Sequence, residues 1–319
     1  MSGPRILVLA GKPDLYLGPV RDRFPALALE SCRSYEELEG ALRAFRPSVV
    51  FAVKMGLPFP RATLFATPSL EWVQIASAGA DHLLPLDPRV TVTSASGIHD
   101  EVLADYILCA VLMWNLRFPQ FFRQQLERTW QPAELAPTAG KTISILGLGS
   151  IGSLAAAKAK KMGMRVIGVK ARPELASRGV ADEVQGVDAL PVVASRSDFL
   201  AVTLPLTSRT RGLIGERVLS AMKPGSVLVN LSRGTIVDEG ALVKALREGP
   251  LRGAVMDVFA QEPLPATSEL WNLPNLVITP HTGDIEGWRE KLADLFCDNL
   301  ARYLAGEPLR NVVDSAREY

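Results

Sequence analysis

The chain has 319 residues, enough for about two domains at roughly 150 residues each. Its 35 Lys and Arg against 34 Asp and Glu leave a net charge of +1, too weak a field to gather nucleic acid or an anionic membrane. A composition of 48% hydrophobic and 22% charged residues excludes disorder, and three scattered cysteines (Cys32, Cys109, Cys297) exclude a disulfide framework or a metal site.

No apolar run reaches the ~18 residues of a membrane span, and the first residues lack a signal-type apolar core. A cytoplasmic protein acting on small molecules, without membrane, metal or nucleic acid, is therefore expected. In chain order, apolar runs at 6–9, 49–53, 72–75 and 90–93, each bounded by Gly, Pro or Ser, predict the strands of one small doubly wound unit. Ser34 followed by Glu37 has capping-box form and predicts a helix to about Phe45, stopped before Pro47. Asp100 is the expected N-cap of a strongly apolar helix reaching about Leu116, with Glu101 in its first turn. Residues 117–132 read as a polar, basic connection. Strands are expected at 142–146, 165–169, 199–202, 227–230, 253–258 and 277–279. A last helix from about Ile285 to Leu304 ends at Gly306 and Pro308. Strands alternating with helices throughout predict an α/β chain with parallel sheets.

The sharpest local signal is Gly147-Leu148-Gly149-Ser150-Ile151-Gly152, between a buried-strand pattern and an Ala-rich helix. That context makes it a dinucleotide-binding turn. Gly147 permits the tight bend, Gly149 lets backbone approach a pyrophosphate, and Gly152 lets helix and strand pack closely. An NAD enzyme carries an acid about 20 residues beyond the glycines to bind the ribose hydroxyl. Here the second strand ends in Lys170-Ala171-Arg172, two cations suited to a 2′-phosphate, so NADP(H) is favoured over NAD(H). Glu174, after Pro173, is the competing candidate for a ribose contact.

Arg233, Glu262 and His281 stand at the ends of separate apolar runs, and ligands of open parallel sheets bind beyond the carboxyl ends of strands. With 147–152, the ordered segments Leu204-Pro205-Leu206-Thr207, Lys223-Pro224-Gly225, Asn230-Leu231-Ser232-Arg233-Gly234, 257–263 and Thr279-Pro280-His281 resemble the D-isomer-specific 2-hydroxyacid dehydrogenases. The likeness runs from Gly147 to Asp314 and is looser in the N-terminal third, at Ser77-Ala78-Gly79-Ala80-Asp81-His82.

What the resemblance implies is a Rossmann NAD(P)-binding domain, 100–284, inserted into a smaller flavodoxin-like substrate domain, 1–99 plus 285–319, both doubly wound parallel sheets. It implies reduction of glyoxylate- or hydroxypyruvate-type 2-oxo acids to D-2-hydroxy acids by Arg233, Glu262 and His281. The residue types suit that chemistry. A guanidinium binds carboxylate and polarised carbonyl, an imidazole donates a proton near neutral pH, and a carboxylate orients it and favours its charged form. Backbone at Ala78 and Gly79, with Arg233 and His281, would hold the substrate. Ser150, Ile151, Thr203, Leu204, Pro205, Leu231, Ser232, Asp257 and Gly283 would line the cofactor, Asp257 toward its carboxamide. Closure of the two domains would complete the site and exclude water. Lys54, Met55 and His99 are further pocket candidates, His82 reads as structural or substrate-rim, and Trp130 and Trp288 flank the expected cleft. A homodimer through about 100–130 is also implied. The alternatives are a phosphoglycerate dehydrogenase-like enzyme and a non-catalytic, dinucleotide-sensing scaffold of the corepressor type.

Overall fold

In the computed structural model, residues 3–56, 58–283 and 286–319 are described. The backbone separates into Met1–Ile98 with Ile285–Tyr319 (unit 1) and His99–Asp284 (unit 2), so unit 2 is one continuous insertion in unit 1. The strands are β1 (Arg5–Leu9), β2 (Ala28–Cys32), β3 (Val49–Ala52), β4 (Trp72–Ile75), β5 (Thr91–Thr93), β6 (Thr142–Leu146), β7 (Arg165–Val169), β8 (Glu183–Gln185), β9 (Phe199–Val202), β10 (Ser226–Asn230), β11 (Leu251–Met256) and β12 (Leu276–Ile278). The helices are α1 (Asp14–Arg23), α2 (Tyr35–Phe45), α3 (Arg61–Phe65), α4 (Asp100–Asn115), α5 (Phe118–Leu126), α6 (Ser150–Lys161), α7 (Leu190–Ala194), α8 (Glu216–Leu219), α9 (Glu239–Arg247) and α10 (Trp288–Ala305).

Unit 1 is a parallel sheet in the order β2-β1-β3-β4-β5, the flavodoxin-like winding. β1, an interior strand, is apolar on both faces because both are covered. Ile6 and Val8 pack with Tyr16 and Val20 of α1 and Leu292 and Phe296 of α10, while Leu7 and Leu9 meet Leu38 and Leu42 of α2. Ser34 caps α2 by accepting from Glu37 N–H, and Glu37 in turn accepts from Arg33 N–H at 2.8 Å.

Unit 2 runs β12-β11-β10-β9-β6-β7-β8, which from β6 is the Rossmann order 3-2-1-4-5-6 with one more strand. Ile143 and Ile145 pack with α4 and α6, through Ile107, Val111, Ala155 and Ala159. Leu146, Leu200 and Leu228 face the opposite way, toward Leu190, Val218 and Leu242. Gly253 on β11 has no side chain because Trp114 occupies that space: a Cβ there would lie 2.1 Å from the indole ring.

Four local expectations need correction. Asp100 is the first residue of α4 rather than its N-cap; His99 holds that position without a side-chain cap bond, and the Asp100 and Glu101 charges suit the positive helix end. The stretch after Arg117 contains α5, whose apolar side chains are exposed, so no buried stripe marks it. β11 pairs from Leu251 to Met256, two residues earlier than its apolar run, because Asp257 and Val258 continue buried into the following loop. α10 begins at Trp288; the expected start at Ile285 lies outside the described residues. Among the described residues, no single helix is long and apolar enough to cross a membrane.

Candidate active site

The glycine turn is closed by contacts that leave no room for side chains. Gly147 has a φ of +101°, a region that favours glycine, and a Cβ there would meet the Thr203 carbonyl oxygen at 2.9 Å. A Cβ on Gly152 would fall 1.9 Å from the Gly147 carbonyl oxygen. Thr203, just after β9, donates from Oγ1 to the carbonyls of Gly147 (2.8 Å) and Leu146 (3.0 Å). Its side chain therefore holds the turn itself. Gly149 faces open space, and α6 starts at Ser150 with the backbone N–H groups of Ser150, Ile151 and Gly152 in its first turn. These features fit a pyrophosphate at the helix N-terminus. Leu148 seats against Gly168 of β7, where a Cβ would lie 2.3 Å from its Cδ1. Lys170 follows β7 and donates to the Leu175 carbonyl at 3.3 Å; Arg172 is exposed. Glu174 sits on the turn Pro173–Leu175.

The other expected catalytic and cofactor residues in unit 2 also follow strands. Leu204 and Pro205 come after β9; Leu231, Ser232 and Arg233 after β10; Asp257 and Glu262 after β11; His281 and Gly283 after β12. Asn230, fully buried at the end of β10, organises the next loop. Its Oδ1 accepts from Ser232 N–H and Oγ, and its Nδ2 donates to the Arg233 carbonyl at 3.1 Å. Arg233 donates from Nη1 to the Ser232 carbonyl at 2.9 Å.

Glu262 and His281 meet directly. His281 Nδ1 lies 2.8 Å from Glu262 Oε2, and since an ionised carboxylate only accepts, Nδ1 is the donor. Glu262 Oε1 accepts from Phe259 N–H at 2.9 Å. Burial pushes the Glu262 carboxyl up, but the His281 and Phe259 hydrogen bonds, with the charges of His281 and Arg233, bring it net below the ordinary carboxylate range. It is thus an anion at neutral pH, aligned on one imidazole nitrogen and leaving Nε2 for chemistry.

His281 has a φ of +51°, sparsely populated for a side-chain-bearing residue. Its N–H donates to the Asp257 carbonyl at 2.8 Å. Asp257 is 1% exposed, and its Oδ1 accepts from Thr279 Oγ1 (2.6 Å) and Thr282 N–H (3.0 Å), with Tyr106 bonded to Thr279 behind it. Asp257, expected toward the carboxamide, therefore also fixes the loop that carries His281. Sequence reasoning missed Asn230 and this use of Asp257, although a polar residue directly after the apolar runs 227–229 and 253–256 was the available signal. In unit 1, exposed Ala78 and half-buried Gly79 follow β4, and Ser77 Oγ donates to the Gly79 carbonyl at 2.8 Å. His82 stacks edge-on with Phe59. Trp130 is 95% exposed.

Residues 108–283 match the profile of the D-isomer specific 2-hydroxyacid dehydrogenase NAD binding domain, which is more than half of the chain. The chain belongs to the D-isomer specific 2-hydroxyacid dehydrogenase family. It is 32% identical to a glyoxylate reductase of Korarchaeum cryptofilum, over 81% of this chain and 80% of that one. A family dehydrogenase from Xanthobacter autotrophicus Py2, solved with NADPH and MES, is 30% identical with a TM-score of 0.86, covering 99% of this chain and all of the other. An NADPH-dependent glyoxylate/hydroxypyruvate reductase from Sinorhizobium meliloti, solved with NADP and sulfate, is 25% identical with a TM-score of 0.83, covering 99% and 100%. As a member of this dehydrogenase family, the chain is an NAD(P)-dependent oxidoreductase of 2-oxo and 2-hydroxy acids.

Proposed function

We propose that the protein reduces small 2-oxo acids of the glyoxylate and hydroxypyruvate type to D-2-hydroxy acids, with NADPH preferred to NADH. The observation that carries this reading is the 2.8 Å His281–Glu262 pair, with Arg233 near enough for its charge to act on the same carboxylate. Arg233 binds the substrate carboxylate and polarises its carbonyl, and Nε2 of a charged His281 donates the proton that the developing alkoxide needs. Glu262 orients that imidazole and favours its charged form. The nicotinamide, when bound, supplies the hydride.

The turn 147–152 would hold the pyrophosphate, with Thr203, Leu204, Pro205, Leu231, Ser232, Asp257 and Gly283 along the rest of the cofactor. Lys170 and Arg172 would take the 2′-phosphate; NADPH in the Xanthobacter structure and the NADPH dependence of the Sinorhizobium enzyme support this choice. Ala78 and Gly79 would offer backbone N–H groups to the substrate carboxylate, giving unit 1 the substrate role and unit 2 the cofactor role. A homodimer through α4 and α5 is supported by exposed Phe118, Phe122, Leu126 and Trp130, an apolar row of the kind that marks association surfaces. Phe122→Glu with Leu126→Glu should then give a monomer by light scattering.

The deciding assay crosses glyoxylate, hydroxypyruvate, pyruvate and phenylpyruvate with NADPH and NADH. Fastest oxidation of NADPH with the two smallest polar acids is expected, and no oxidation with any acid would sink the proposal. Glu262→Gln removes the carboxylate that favours a charged imidazole, so reduction should fall away at lower pH than in the parent.

A further inference from the structure

The stretches that carry Arg233 and Glu262 touch at two points, and neither involves a reacting atom. Arg233 is followed by one tight turn, Gly234–Ile236, and then by α9, whose first residue is Glu239. At the first point, a Cβ on Gly234 would lie 1.9 Å from the Phe259 carbonyl carbon, so bare backbone is pressed against backbone. At the second, Ala260 N–H donates to Glu239 Oε1 at 2.7 Å. The adjacent amide, Phe259 N–H, already donates to Glu262 Oε1. Two successive peptides are thus held by two different carboxylates.

Beyond Phe259, which is buried, this loop has little packing to order it: Ala260 and Gln261 are exposed, and the Glu262 side chain is 36% exposed. Capping of α9 falls to Asp238, which accepts from Ala241 N–H at 3.0 Å, so the Glu239 carboxylate is not needed for that task. A carboxylate accepting from an amide makes a short, charge-assisted bond, and this one ties the exposed loop to a helix packed on β11 through Leu242 and Leu246.

We propose that Glu239 is a positioning residue for the Glu262–His281 pair: by anchoring the Ala260 peptide it keeps the Glu262 carboxylate on His281 Nδ1. This rests on the roles given above to Glu262 and His281. A loop released at Ala260 lets Glu262 swing from the imidazole, and the charged form of His281 loses the carboxylate that favours it. Cofactor binding, and the share of substrate binding given to Arg233, Ala78 and Gly79, rest on other groups.

The test measures kcat and KM for 2-oxo acid reduction across pH in Glu239→Ala, Glu239→Gln and Glu262→Gln, with NADPH Kd and Tm alongside. Glu239→Ala should lower kcat about tenfold, less than the ~10²-fold that a full 1 Å misplacement of a reacting group can cost. It should leave KM and Kd close to the parent and move the falling limb of kcat to lower pH, as Glu262→Gln does. Glu239→Gln, which keeps an oxygen acceptor, should recover most of the rate and the parent limb. If Glu262→Gln moves the limb and Glu239→Ala does not, the Glu239 role alone is overturned, even if Tm drops. If Glu262→Gln leaves the limb in place, the pairing fails and the Glu239 role falls with it. Should the alanine variant not fold, Glu239→Asp, one methylene too short to reach, replaces it under the same criteria.

Discussion

At the carboxyl ends of β10, β11 and β12 the loops carry an arginine, a glutamate and a histidine, whereas after β4 and β5 they carry Ser77-Ala78-Gly79 and Ser94-Ala95-Ser96-Gly97. Both sheets are parallel and doubly wound, so winding alone does not decide which edge holds reactive side chains. The difference lies in how each unit uses its buried polar residues. In unit 2, Asn230 and Asp257 sit directly beneath the loops and bond their backbones, fixing Arg233 and His281. In unit 1, Gln74, Thr93 and Asn299 bond one another and the C-terminal tail: Asn299 Nδ2 reaches Gln74 Oε1 at 3.2 Å, and Arg310 N–H donates to Asn299 Oδ1 at 2.8 Å. One network aims side chains, and the other closes the fold.

That contrast can be broken by substitution. The largest expected effect is His281→Ala, which should lower kcat about 10²- to 10⁴-fold, the range of a lost general acid, with NADPH Kd little changed. A collapse of cofactor binding instead would show that the loop after β12 serves the nucleotide. Asn299→Ala should act oppositely, costing about 1–3 kcal/mol in urea unfolding through unsatisfied buried groups while the folded fraction keeps its kcat. Catalytic loss at unchanged stability would erase the distinction between the units. Smallest is Lys170→Asp with Arg172→Asp, expected to shift the NADPH/NADH ratio of kcat/KM at least about tenfold toward NADH, since a single lost charged hydrogen bond is worth that much. An unmoved ratio would remove both cations from the cofactor site.

Sequence patterning reached the strands that are buried on both faces. β9 is wholly apolar, and Gln74, Ser144 and Gly168 interrupt β4, β6 and β7 without exposing them, so the expected bounds match those observed. It did not reach β2 and β8, edge strands whose half-exposed residues (Ala-Leu-Glu-Ser-Cys and Glu-Val-Gln) carry no apolar run. α5 escaped for a related reason, since a helix with its apolar side outward does not look like a core element. At the site, motif spacing named Arg233, Glu262 and His281, because their chemistry is in the side chain itself. Thr203 and Glu239 act through hydrogen bonds to peptides 56 and 21 residues away in sequence, and only the folded chain brings those partners together.

The C-terminal tail has a consequence for how the chain is made. Val312 bridges Thr93, and α10 supplies Leu292, Phe296 and Leu300 to the face of the sheet formed by Ile6, Val8, Phe51 and Trp72. Residues 99–284 therefore leave the ribosome as one contiguous segment while part of an apolar sheet face in the first 98 residues, beside α1, still awaits α10. The domain begun first is completed last, and for that interval part of its sheet stays uncovered.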